Sequence, residues 1–202
     1  KIIETPALSK RIDDFSLFNG DQIIVRRRIV EYKNKRYYLG YPNILVEDTQ
    51  ALRRLTSRTL PTYDGIIFND ELFCTTEGNG LISIDLNTER IRSHNSKILG
   101  SNETFECIAR FSDSLLILGG GNKIVAYNPS SKQEFSHYLK KGTVIHDIVA
   151  VKNTNSLYLG TSEGLTHVRL DSQKGFETVS LGVESECDIS DLLLLEDKKE
   201  IW

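Results

Sequence analysis

Three stretches of the chain overlay one another at a constant offset, which constrains the fold more than any other feature. They are residues 72–85 (LFCTTEGNGLISID), 115–128 (LLILGGGNKIVAYN) and 157–171 (LYLGTSEGLTHVRLD). Asp85, Asn128 and Asp171 follow at intervals of 43 residues, and a fourth copy begins at Glu200, Ile201 and Trp202. A period near 43 with strand-like units is the signature of a β-propeller. Each unit opens with an apolar run, at 65–68, 107–111, 147–151 and 191–195. A polar turn follows, then a second β-rich run that ends in small residues, clearest at Leu157–Thr161. Gly80 or Gly164 opens a third strand that ends at Asp85, Asn128 or Asp171. Asp and Asn side chains hydrogen-bond the backbone two residues on, so they start turns. A fourth strand follows at 135–138 and 176–181. Four short strands joined by tight turns make one antiparallel blade, and stacked blades bury each other's faces.

The expected fold is therefore all-β, a β-propeller with four-stranded antiparallel blades of about 43 residues. Blades are placed at 62–104, 105–146 and 147–188, with the start of a further, truncated blade at 189–202. Residues 1–61 are a poorly periodic β segment of one or more divergent blades. Leu72, Leu115 and Leu157 should occupy like positions. Tyr158 and Trp202 should be equivalent aromatics buried between blades, with Leu159 on the opposite face. At this period 202 residues are about 4.7 units, and seven blades need roughly 300. The chain thus reads as a fragment of a larger seven-bladed propeller. Its lack of Met, where about four are ordinary, points the same way.

Composition is that of a globular protein, 39% hydrophobic and 26% charged, with a net charge of -3 that disfavours nucleic acid. No apolar run approaches the ~18 residues of a membrane span, and no signal peptide stands at Lys1. Charge is uneven: residues 1–60 are basic and the remainder acidic. Arg26, Arg27 and Arg28 form the sharpest cluster. They are the candidate ligand-binding residues, suited to an anionic sugar. The competing reading is an edge or rim strand, where Lys and Arg blunt pairing, and alternation keeps the triplet from pointing one way.

The three cysteines, Cys74, Cys107 and Cys187, are odd in number and lack metal-ligand spacing. Cys74 reads as a buried free thiol. His94, His137, His146 and His167 also lack metal-ligand spacing, and adjacent strand residues His146 and Asp147 should point apart. Gly119, Gly120 and Gly121 lack the Lys-Ser/Thr of a phosphate loop and read as a strand-end turn. No catalytic residues, metal ligands or cofactor are expected.

Residues 155–171 (NSLYLGTSEGLTHVRLD) resemble the two-component regulator propeller repeat, whose consensus runs roughly G-x-L-W-I-G-T-x-x-G-L-x-x-Y-D. Residues 189–202 are similar to the front half of the next repeat. Over 62–142 the match is weaker, with Cys74, Thr75 and Thr76 or Leu118, Gly119 and Gly120 in place of Leu-Gly-Thr. In 1–61 it is confined to Tyr37–Gly40 and residues 18–24. The resemblance implies the periplasmic sensor region of a hybrid two-component histidine kinase of Bacteroidetes. It implies an oligosaccharide ligand, a homodimer, and a receptor continuing through further blades, an immunoglobulin-like domain, a membrane helix and a kinase. This segment would then bind without catalysing. The alternatives are a WD40-like interaction scaffold, against which the absence of Trp-Asp and Gly-His pairs counts, and a propeller enzyme acting on polysaccharide.

Overall fold

The computed structural model describes residues 4–6, 24–49, 51–100, 102–171, 175–179, 187–195 and 200–201. Every regular element among them is a β-strand. The chain divides into two compact units, 1–104 and 105–202.

The first unit holds two antiparallel sheets, each in chain order. One is five-stranded: β1 (Glu4–Pro6), β2 (Ile24–Tyr32), β3 (Lys35–Tyr41), β4 (Leu45–Glu47) and β5 (Leu52–Arg54). The other is β6 (Thr62–Phe68), β7 (Glu71–Thr76), β8 (Leu81–Asp85) and β9 (Ile91–Ser93). The second unit repeats the pattern twice. Its sheets are β10 (Cys107–Arg110), β11 (Leu116–Gly120), β12 (Lys123–Tyr127) and β13 (Glu134–Tyr138), then β14 (Ile145–Ala150), β15 (Ser156–Thr161), β16 (Gly164–Asp171) and β17 (Gly175–Val179). A two-stranded pair follows, β18 (Leu194–Leu195) and β19 (Glu200–Ile201). The repeat thus yields a sheet per period. Trp202 and residues 18–23, to which sequence expectations attach, lie outside the described residues.

Turn chemistry explains the regularity. Asn69 and Asp70 both have positive φ, 51° and 60°. That is the two-residue hairpin geometry whose twist matches the flanking strands. Two of the third-to-fourth-strand turns are copies of each other. Asp85 Oδ1 accepts from Asn87 N and Thr88 N at 3.0 and 2.8 Å, and Asn128 Oδ1 accepts from Ser130 N and Ser131 N at 3.0 Å each. The Thr88 backbone N–H is the main reason the Asp85 carboxyl titrates below its usual range.

Within each unit the two larger sheets bury apolar faces against each other. In the first, Tyr37, Leu39 and Val46 pack with Ile67, Leu72, Cys74 and Ile84. In the second, Ile117, Ile124 and Ala126 pack with Ile148, Leu157, Leu159 and Val168. The small residues ending the second strands have a steric cause. A Cβ on Gly119 would lie 2.8 Å from both Ile145 Cγ2 and Ile148 Cδ1 and 2.9 Å from Cys107 Sγ.

Three register expectations change. Leu72 pairs with Ile84 and is followed by a hairpin whose third strand opens at Gly80. In the next sheet it is Leu116, paired with Tyr127, that holds this place, and Leu157 in the one after. Leu115 stands one residue earlier, because the β7–β8 turn is one residue longer than the β11–β12 turn. In β3 the Leu39-Gly40 match to Leu159-Gly160 is out of phase. Leu39 faces the following sheet, where a Cβ on Gly65 would meet its Cδ1 at 2.5 Å, whereas Leu159 faces the preceding one. A one-residue slip exchanges the faces of a strand. Tyr158 is half-buried rather than enclosed, its ring stacked on His167 at 4.7 Å and 8°. Leu159 is fully buried on the opposite face, as alternation requires.

Candidate ligand-binding site

Polar groups concentrate near the start of β2, β6 and β14, and there the ladder breaks. In β2 the pairs Val25–Gly40 and Ile29–Tyr38 enclose Arg26, Arg27 and Arg28. In β6 the pairs Thr62–Thr76 and Gly65–Cys74 enclose Tyr63 and Asp64. In β14 the pairs Ile145–Thr161 and Asp147–Gly160 enclose His146. Bulges re-aim side chains and occur beside functional sites more often than elsewhere in sheets.

In the first unit the break turns Arg28 toward the second sheet. Its Nε lies 3.0 Å from Asp64 Oδ1, and its Nη1 donates weakly to Gly65 O at 3.4 Å. Asp64 is 1% exposed and also accepts from Gly65 N at 2.8 Å. A carboxylate so buried requires a cation, so Arg28 is committed to the fold. The side chains of Arg26 and Arg27 lie outside the described residues.

In the second unit the break in β14 places His146 between two acids. Its Nδ1 is 3.8 Å from Glu106 Oε2 and its Nε2 is 3.1 Å from Asp188 Oδ1. The Nε2 atom is buried and makes no aligned hydrogen bond. The neighbouring Asp147 accepts from Leu192 N at 2.8 Å through Oδ2. The expectation that His146 and Asp147 diverge is thus corrected: both engage residues 188–192, because the bulge interrupts alternation. The sequence reading missed Asp64, Glu106 and Asp188. Asp64 and Glu106 each immediately precede an apolar run, which is the signal that could have found those two.

Three other polar features belong to the first unit. Glu89 is bound by Arg53 Nη2, at 2.7 and 2.6 Å to its two oxygens, and by Lys35 Nζ at 2.5 Å. Burial pushes the Glu89 carboxyl up, but the two cations outweigh it and the net direction is down. The Tyr37 hydroxyl is buried without a hydrogen-bond partner, and burial, reinforced by Glu89, raises it to about 12. At the turns beside β2, β3 and β4 lies an open cleft of about 260 Å³, lined by Glu31, Arg36, Glu47 and neighbours. Its charges neutralise one another: Arg36 Nε sits 2.8 Å from Glu31 Oε1 and Arg36 Nη1 3.5 Å from Glu47 Oε2, while the Tyr38 hydroxyl donates to Glu47. Among the described residues no aromatic lines it, so they offer no apolar platform for a sugar ring to stack on.

Cys74 and Cys107 are buried thiols outside any disulfide, and Cys187 is exposed. Burial, then the nearby Asp64 charge, drives the Cys74 thiol far up, so it is inert at ordinary pH. Among the described residues no group of three His, Cys, Asp or Glu is arranged to hold a metal ion.

No protein-family model matches the sequence, and no curated protein matches it at a significant level. Solved structures do. One is described as the extracellular domain of a one-component system, BT4673, from B. thetaiotaomicron. It has a TM-score of 0.71 and 20% identity, over 91% of this chain and 25% of that one. Another, described as the extracellular domain of the hybrid two-component system BT3049 from the same organism, has a TM-score of 0.60 and 17% identity, over 84% and 23%. The WD40 repeats of RRP9 have a TM-score of 0.56 and 10% identity, over 77% and 53%. The chain spans about a quarter of the two ectodomains. At these identities the likeness is one of fold, and the fold is that of a partial β-propeller built from four-stranded antiparallel blades.

Proposed function

We propose that this chain is part of the extracytoplasmic sensing region of a hybrid two-component receptor and that it contributes to binding an oligosaccharide without cleaving it. One coincidence carries the reading. The repeat at 155–171 resembles the regulator propeller by sequence, and the fold over 84% of the chain is similar to an ectodomain described as belonging to a hybrid two-component system. In this reading the region is periplasmic, the receptor is a homodimer, and the ligand signal passes to a cytoplasmic histidine kinase. Sugars offer hydroxyls and apolar ring faces, so acids, amides and aromatics at strand ends suit them. An anionic sugar would be met by Arg26 and Arg27, since Arg28 already has Asp64.

The scaffold reading draws support from the WD40 likeness. Calorimetric titration of the intact ectodomain against depolymerised plant, host and microbial glycans, with product analysis, separates the readings. Binding without turnover is expected. Turnover favours an enzyme, and a folded ectodomain that binds no glycan favours the scaffold. If the ligand is anionic, affinity should fall with salt, because exposed charges are screened over ~10 Å at 0.1 M. Removing Arg26 and Arg27 together should abolish that dependence.

A further inference from the structure

We propose that His146 and Asp147 form a clasp on residues 188–192 and that the clasp tightens when His146 is protonated. An unbroken strand would send adjacent side chains to opposite faces. The register break between Ile145 and Asp147 lets both reach one segment instead. His146 Nε2 stands 3.1 Å from Asp188 Oδ1 at one end, and Asp147 Oδ2 accepts from Leu192 N at 2.8 Å at the other. Between them Ile189 N donates to Thr161 O at 3.0 Å. The segment is laid so close that a Cβ on Gly160 would fall 2.7 Å from Ile189 O.

The groups facing the imidazole are acidic on each side. Glu106 approaches Nδ1 from the start of β10, Asp188 approaches Nε2 from the clasped segment, and Asp147 follows on its own strand. Asp191 lies further along the segment. The neutral ring makes no aligned hydrogen bond through Nε2. The imidazolium would bridge two carboxylates carried by different parts of the unit. Imidazole is the side chain that changes charge across pH 5 to 8, where carboxylates are ordinarily ionised. The added attraction belongs to the protonated ring and is lost when the proton leaves. Asp147 holds Leu192 N throughout.

Amide hydrogen exchange of the intact chain, read residue by residue at about pH 5.5 and 7.5 and corrected for intrinsic rates, tests the clasp. Protection at Ile189 and Leu192 should be roughly three- to fivefold greater at the lower pH, the size expected of a partly exposed ion pair. Amides of the β11–β12 ladder should show no such difference. His146→Gln should remove the difference. Asp147→Asn should lower protection of Leu192 at both pH values while leaving the difference at Ile189. Equal protection at both pH values in the parent chain overturns the proposal, as does the same difference in His146→Gln. Should that variant not fold, Asp188→Asn, a change at an exposed side chain, must shrink the difference, and an undiminished one overturns the proposal equally.

Discussion

Gly119→Ala tests whether the sheets of the second unit are stacked as closely as the structure shows. The added Cβ would sit under 3.0 Å from three heavy atoms: Ile145 Cγ2, Ile148 Cδ1 and Cys107 Sγ. Ile145 and Cys107 are fully buried and Ile148 nearly so. Two of the three atoms are one bond from their own Cβ, so rotation gives little relief. Overpacking of this kind costs ~1–3 kcal/mol, and enclosure on three sides puts this case near the upper end. Ala recovers ~0.5–1 kcal/mol over Gly in a strand by restricting the unfolded chain. The net loss should be about 2 kcal/mol, or roughly 4–8 °C in Tm for a chain of this length. Gly100→Ala is the control. Its Cβ would meet atoms only at 3.7 and 3.9 Å, so it should be neutral or stabilising by ~0.5 kcal/mol. Urea denaturation of both variants decides between them. Ile148→Val removes the flexible obstacle, and should cost ~1 kcal/mol alone but less beside Gly119→Ala. A Gly119→Ala loss below ~0.5 kcal/mol, or additivity of the pair, would refute the close approach.

Other expectations follow from the site. Asp64→Ala should cost about 3 kcal/mol in urea denaturation, because it strands Arg28 beside a buried position; a neutral result would show that Arg28 turns freely to solvent. Tyr158→Ala should cost ~1–2 kcal/mol, since its ring is half-buried and stacked on His167, and a loss of 3 kcal/mol or more would mean fuller enclosure. Burial, aided by Arg169, lowers the His167 titration point, so the folded state refuses a proton that the unfolded state accepts. Stability should therefore fall as pH drops below the ordinary imidazole value of about 6.5. His167→Gln should flatten that fall in pH-dependent melting. A thiol reagent should label Cys187 rapidly in the folded chain and Cys74 and Cys107 only after unfolding; fast labelling of all three would contradict the core.

The fold was legible because its cues are local. Asp85 and Asn128 open identical turns, and Asn69-Asp70 sets a hairpin, each from side chains acting within a few residues. Register was less legible, because it depends on loop length. One extra residue in the β7–β8 turn moves the equivalent of Leu72 from Leu115 to Leu116, and an ungapped overlay cannot register that. The candidate site was hardest, since its chemistry runs between repeats. Arg26, Arg27 and Arg28 stand out as neighbours in sequence, yet the partner of Arg28 is Asp64, 36 residues on. Glu106, His146 and Asp188 are separated by 40 and 42 residues, close to one period. Such spacing is what a stacked repeat produces when residues about one period apart meet between neighbouring repeats. A side chain here is therefore better interpreted against the residue one period away than against its sequence neighbours. By that rule a lone histidine with no metal spacing becomes a base held between two acids, and a basic triplet becomes one structural arginine beside two others.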